Sequence, residues 1–400
     1  MKKTKLFYFV VLFCMIFTST SGFALTAGDF QSQATGNWSA IGTWQTYDGA
    51  AWNAAVALPD LTQAITVTIQ AGHTVTVDAA YTANNAALNI VVNGYLKETG
   101  IITKTAGIWT INGTYEFNHV PGTSQGLPTA TWNDGSTCNI TGITSATTSL
   151  NAVQSFYNLT VNCPAWSGSL NLGWTTGTIA IRGNVTAINT GSGRWQWCAP
   201  TAGAAGAINS VTVNVGGNLV VDGSNATSAS TNVIVTSNGT GNGYTAIVIN
   251  IQGNVTVTGN SSANSAFTNF SISRGSQGTT GTSTWNFYGD VNISNAQIQN
   301  STTTTGGGLG KFVFAKSGTQ ALTLSNINAT AAPINFEVLS TSTLNIGSST
   351  LTPSTGFFTL NAGSGIITSH ASGLDGNLTN TGQKLSVLPP IIPLMVHLLS

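Results

Sequence analysis

Chemistry on a polypeptide needs carboxylates, imidazoles, thiols or activated hydroxyls held close together, and this 400-residue chain spreads them thinly. Its eleven acids are Asp29, Asp48, Asp60, Asp78, Glu98, Glu116, Asp134, Asp222, Asp290, Glu337 and Asp375, and no two stand within ten residues of each other. A carboxylate pair for acid–base or glycosidic chemistry could therefore arise only by folding. One set invites that reading. Asp60, Asp78, Glu116 and Asp134 stand at multiples near eighteen residues, and a structural repeat of that length would align them. The competing reading makes each acid a turn residue that accepts local hydrogen bonds.

The other reactive groups are as dispersed. His73 follows Gly72 at a bend, His119 and His370 are remote from it, and His397 lies in the terminal tail. A single histidine at a turn reads as a structural hydrogen-bonder. Cys138, Cys163 and Cys198 permit one disulfide and one free thiol, or none, and no Cys-x-x-Cys or Cys/His spacing points to zinc. No nucleophile-elbow, zinc-helix, P-loop or calcium-loop motif is present, so the expectation is no catalytic residue, no metal and no cofactor. Trp38, Trp44 and Trp52 fall within fifteen residues, in GNWSAIGTWQTYDGAAW. They suit either a glycan-stacking platform or a segment that covers the open end of a repeat protein, where bulky rings bury most area. The second reading is preferred.

Composition sets the background. Charged residues are 6% of the chain and glycines number 46. The apolar residues alternate with Thr, Ser and Asn, which signals strands with one buried and one wet face. Ten Trp and sixteen Phe can bury ample area and argue against disorder. Lys2, Lys3 and Lys5, an apolar run Leu6–Phe17 and Gly22-Phe23-Ala24 read as a secretory signal peptide over residues 1–24. The run is too short to span a bilayer, which takes roughly 20 residues. Without that segment the chain keeps eight basic and eleven acidic residues, a net charge of −3. Nothing there recruits nucleic acid or an anionic membrane, and no membrane insertion is expected.

The elements that must position these groups are announced by a phrase said four times: IAIRGNVTAI, VTVNVGGNLVV, IVINIQGNVTVT and WNFYGDVNIS. In each, a β run meets Gly183, Gly217, Gly253 or Gly289, then Asn184, Asn218, Asn254 or Asp290, then a second β run. The spacings of 34, 36 and 36 mark a stacked repeat built from strands. The predicted fold is all-β, a right-handed parallel β-helix with an N-terminal cap. If one phrase is one coil, the four Asn/Asp side chains stack about 4.8 Å apart, their amides donating to and accepting from one another as in cross-β ladders. The glycines are read as bend residues.

In chain order, residues 25–62 form the Trp-rich cap and 63–384 the solenoid. Ile65–Ile69 and Thr74–Val77 open the β pattern. Asn93-Gly94 and Asn112-Gly113 could be hairpin turns or corners between sheets. Residues 118–150, with Pro121 and Pro128, read as a long loop or irregular coil. Thr231–Thr236, Phe267–Ser273 and Lys311–Ala315 are expected as a third strand in successive repeats. Leu385–Ser400 (LSVLPPIIPLMVHLLS) is apolar and proline-rich. It reads either as a cover over the solenoid end or as the mark of a truncated or out-of-frame reading.

Several stretches together carry a resemblance: GNWSAIGTW, VTIQAGHTVTVD (Val67–Asp78), FYNLTVN and STLNIGSSTLTPSTGFFTLNAGSGIITSHASGLDGN (Ser342–Asn377). Over most of residues 30–380 the chain resembles the exported β-solenoid repeat proteins of Gram-negative bacteria that use the type IX secretion system. That resemblance implies a secreted or outer-surface, adhesin-like protein. Members commonly end in a β-sandwich sorting domain with a basic tail, from which residues 385–400 depart. The expected function is a non-catalytic structural or adhesion-type module, with glycans or other surface proteins as partners. The alternative is a polysaccharide lyase or glycoside hydrolase on the same scaffold, a fold-level analogy that a site would have to support.

Overall fold

The computed structural model describes residues 24–145, 150–174, 176–198, 210–224, 232–236, 246–260, 268–274, 282–301, 309–330, 334–351 and 357–379, with the backbone of 386–387 and 397–398. The predicted signal peptide, but for Ala24, and most of the tail lie outside them. Strands wind into a parallel β-helix. One sheet of fourteen strands runs the whole way, from Gly36–Asn37 to His397–Leu398. A seven-stranded sheet and then an eight-stranded sheet form a second face. A two-stranded sheet (Tyr81–Ala83, Ile102–Lys104) and then a six-stranded sheet form the third.

Period-two alternation produces this packing. In Thr74–Val77, Val75 and Val77 are buried while Thr74 and Thr76 are partly exposed. Parallel in-register pairing then stacks like on like. One inward row of the long sheet runs Val75, Leu96, Tyr115, Cys138, Leu159, Val185, Leu219, Val255, Val291, Leu322. Each fully buried aliphatic in such a row stabilises by about 1.5–3 kcal/mol. The second face carries Ile179, Val213 and Ile249 into an aromatic row of Trp285, Phe312, Phe336 and Phe358. The last three rings stand 5.7 and 6.4 Å apart.

Coil length varies. Thr74 pairs with Tyr95, Tyr95 with Thr114 and Thr114 with Thr137, giving coils of 21, 19 and 23 residues. The four phrases pair Val185 with Leu219, Val255 and Val291 in turn, one coil per phrase. Both Asn-Gly pairs are corners between sheets, with parallel strands on either side and no positive φ, so they are not hairpins.

Two expectations need correction. Residues 118–145 are not a loop throughout: they hold strands Ala130–Trp132 and Thr137–Ile140, which the sequence hides because strands of three and four residues leave little periodic signal. Lys311–Ala315 is not a third-face strand. Strand Leu309–Phe314 pairs with Thr282–Phe287 and opens the next coil. The third-face strand of that repeat is Ala296–Ser301, which follows directly because Asn295 turns the chain at φ 48°. The tail contributes backbone pairing: Ser386–Val387 with Thr359–Leu360, and His397–Leu398 with Ile367–Thr368.

At the N-terminal end, Phe30–Ser32 pairs parallel with the first coil at Val67–Thr68 and antiparallel with Trp44–Thr46. Tyr47, Thr46 and Gln45 continue antiparallel to Trp52–Ala54. Buried Asp29 ties this segment to the first coil by accepting from Thr26 N–H (2.8 Å) and Thr66 N–H (2.7 Å).

Candidate functional site

The acids do not converge as an eighteen-residue repeat would require, because the coils there are longer and unequal. Asp60 is exposed and accepts from Thr62 N–H and Oγ1. Those hydrogen bonds hold its carboxyl below the usual range. Asp78 takes Ser39 N–H at 3.1 Å. Asp134 meets the Arg182 Nε at 3.1 Å on the surface. Glu116 accepts from Asn118 (2.8 Å), Thr141 (2.7 Å) and the Tyr95 hydroxyl, 3.5 Å from Lys97 Nζ. Only Asp60 is a local turn acceptor; Asp78, Glu116 and Asp134 are held by residues distant in sequence.

The titratable cluster the fold does assemble centres on Glu98. It replaces an aliphatic in the second inward row of the long sheet, between Val77 and Phe117. Glu98 Oε1 is met by Lys104 Nζ at 2.7 Å, by His119 Nε2 at 3.1 Å and by Ile102 N–H at 3.0 Å, and Oε2 accepts from the Tyr115 hydroxyl. Burial pushes the Glu98 carboxyl up, but the His119 and Tyr115 hydrogen bonds and the Lys104 charge outweigh it and hold it below the usual glutamate value. Burial, then the Glu98 charge, pushes the Tyr115 hydroxyl well up. Side-chain exposure of Glu98, Lys104 and His119 is 0%, 5% and 9%, so the cluster is sealed from substrate-sized molecules. Its chemistry is that of a closed ion pair which must stay hydrogen-bonded to survive burial. Sequence reasoning missed it, though the signal was there: Leu96 faces inward, so Glu98 two residues on must too.

The four-phrase ladder exists in a different form. Asn184 N–H donates to Asn158 Oδ1 (2.8 Å), Asn218 N–H to Asn184 Oδ1 (2.8 Å), Asn254 N–H to Asn218 Oδ1 (2.7 Å) and Asp290 N–H to Asn254 Oδ1 (2.9 Å). The rungs are side-chain carbonyl to main-chain amide, not amide to amide. Asn184, Asn218 and Asn254 are exposed, because the corner faces water. The ladder begins one coil earlier than the phrases suggest, at Asn158. It ends at Asp290, whose carboxylate accepts from Lys316 Nζ (2.7 Å) and Ala321 N–H (3.0 Å).

The four glycines stand at bends of the chain, and they also give room. None of Gly183, Gly217, Gly253 and Gly289 has positive φ. A Cβ at Gly217 would stand 2.4 Å from Asn184 Oδ1, and one at Gly253 2.4 Å from Asn218 Oδ1. Amide-to-amide ladders occur elsewhere: Asn286 to Asn250 to Asn214 (2.8 Å each) on the second face, and Asn133 to Asn112 to Asn93 (2.6 and 2.7 Å) at an earlier corner.

Trp38 and Trp44 cannot stack on a glycan. Both are fully buried, their rings 4.8 Å apart edge to face, and Trp44 Nε1 donates to Trp38 O at 2.9 Å. Trp52 is half-buried against Tyr47 at 5.3 Å. His73 contacts Ser32 Oγ at 2.9 Å and His370 Nδ1 accepts from Ser372 N–H at 3.0 Å, both structural. Cys138, Cys163 and Cys198 are free and buried, and burial pushes all three thiols up, Cys163 to about 12. Among the described residues no three His, Cys, Asp or Glu are grouped to hold a metal ion, and no helix is long and apolar enough to cross a membrane.

No family model, curated protein or solved structure matches the chain.

Proposed function

We propose that the protein is an exported, non-catalytic scaffold of adhesion type, sent to the outer surface by the route its resemblance implies, whose faces contact glycans or other surface proteins. The observation that carries this reading is the outward row of the long sheet: Thr76, Lys97, Glu116, Asn139, Thr160, Thr186, Val220, Thr256, Asn292, Thr323. Its only two charges lie beside each other, 3.5 Å apart. Hydroxyl and amide groups at a strand-to-strand spacing of about 4.8 Å give a surface that holds water or sugar hydroxyls without long-range charge. The test has two arms. Protease treatment of intact producing cells should remove the protein, and the purified protein should release no reducing or unsaturated ends from acidic and neutral polysaccharides. Full protection from the protease would defeat the surface assignment. Turnover abolished by replacing a single carboxylate would establish the enzyme alternative.

A further inference from the structure

The Asn corner presents more than a ladder. Each Oδ1 of Asn184, Asn218 and Asn254 is held by the next coil's N–H, and all three residues are exposed. None of these Nδ2 groups donates to another described residue. The result is a line of exposed amide donors, one per coil. Beside it run the residues that precede each glycine: Arg182, Gly216, Gln252 and Tyr288. Gly216 and Gly217 are consecutive and carry no side chain, so the ridge dips there. At one end Tyr157 lies against Gly183, its Cε1 3.0 Å from where a Cβ would be, beneath the Arg182 guanidinium at 5.7 Å. At the other end Tyr288 is 38% exposed. Four coil steps separate the two tyrosines, about 19 Å along the axis.

Charge along the ridge cancels. Arg182 is paired with Asp134, and Asp290 with Lys316. An anionic polymer gains nothing here. An extended neutral polymer with hydroxyls at a near-constant axial repeat meets one donor per coil, a floor without side chains at Gly216-Gly217, and an aromatic ring at each end. We infer that this corner is a binding site for a linear, uncharged polysaccharide, laid along the solenoid axis from Tyr157 to Tyr288 across Asn184, Asn218 and Asn254. The inference rests on the reading of the protein as a surface scaffold and names its ligand class.

Asn218→Asp separates ladder from ligand, because the carboxylate still accepts Asn254 N–H while the amide donor is lost. Tyr157→Ala and Tyr288→Ala remove the end platforms. The full chain and these variants are titrated calorimetrically with cellohexaose, xylohexaose and, as the anionic comparison, hexagalacturonate. The expected result is binding of at least one neutral hexamer, none of hexagalacturonate, and affinity falling about two- to tenfold for each tyrosine change, with Asn218→Asp also weaker at unchanged thermal stability. Absence of neutral-hexamer binding overturns the inference, and so does binding that the three variants leave unmoved. Adhesion of the triple variant to glycan-coated surfaces at the parent's level would remove this ridge while leaving the scaffold reading standing. Failure of the parent to adhere to any surface would remove the scaffold reading itself.

Discussion

Gly183→Ala should destabilise the protein through the coil below it, and a second substitution should undo the damage. The added Cβ would stand 2.2 Å from Asn158 Oδ1, 3.1 Å from its Cγ and 3.0 Å from Tyr157 Cε1. Everything it strikes is side chain. Overpacking of this kind costs about 1–3 kcal/mol. Asn158→Ala alone loses the acceptor for Asn184 N–H at 2.8 Å, worth about 1 kcal/mol, and also removes the Oδ1 and Cγ that the alanine would meet, leaving only the Tyr157 Cε1 contact. Gly183→Ala should therefore cost much less in the Asn158→Ala background, a coupling of about 0.5–3 kcal/mol. Gly289 is the control. There the nearest atoms are backbone, Gly253 O at 2.2 Å, its C at 2.4 Å and Asn254 N at 2.7 Å, so Asn254→Ala should rescue nothing. Urea unfolding followed by tryptophan fluorescence, with m-values compared across variants, reads both cycles. Equal penalties for Gly183→Ala in both backgrounds would refute the claim that glycine is there for room.

Two further outcomes follow from buried and half-buried polar groups. Lys104→Met leaves the Glu98 carboxylate inside the core without its cation and should cost about 3–5 kcal/mol at neutral pH by urea unfolding. Because the folded Glu98 carboxyl is held below its ordinary 4.5, its contribution is complete above that pH and lost as pH falls below it. The stability gap between parent and Lys104→Met should therefore narrow at pH 3. On the second face, Asn250 both donates to Asn214 and accepts from Asn286 at 2.8 Å, so Asn250→Ala should cost about 1–3 kcal/mol, and the double change with Asn286→Ala should be less than additive.

Much of this architecture was legible in the residues. Alternation located the strands, and the phrase period matched the pairing of Val185, Leu219, Val255 and Val291 coil on coil. What the sequence hid has physical causes. Asn-Gly favours hairpin turns and tight sheet corners alike, and only stacking partners decide between them. The ladder's donors are main-chain amides, which leave no trace in residue type. The Glu98 cluster joins residues 98, 104, 115 and 119 through the coil's third face, so spacing alone does not announce it. Lys311–Ala315 was misplaced because the preceding corner at Asn295 needs no loop. Trp38 and Trp44 were legible as rings to be buried near the solenoid terminus, and both are fully buried.

One coil per phrase is tested most directly by distance. Spin labels at Thr186→Cys and Thr256→Cys lie two coils apart, with Val220 between them. Cys138, Cys163 and Cys198 are buried and their ionisation suppressed, so with Cys14 replaced by serine the labelling of the folded protein is confined to the introduced sites. Continuous-wave electron paramagnetic resonance should show dipolar broadening for a separation of about 10 Å, weakening when the second label moves to Asn292→Cys at about 14 Å. Labels at Thr186 and Thr256 that lie beyond about 20 Å, more than four strand spacings, would contradict the stacking on which the ladder and the ridge depend.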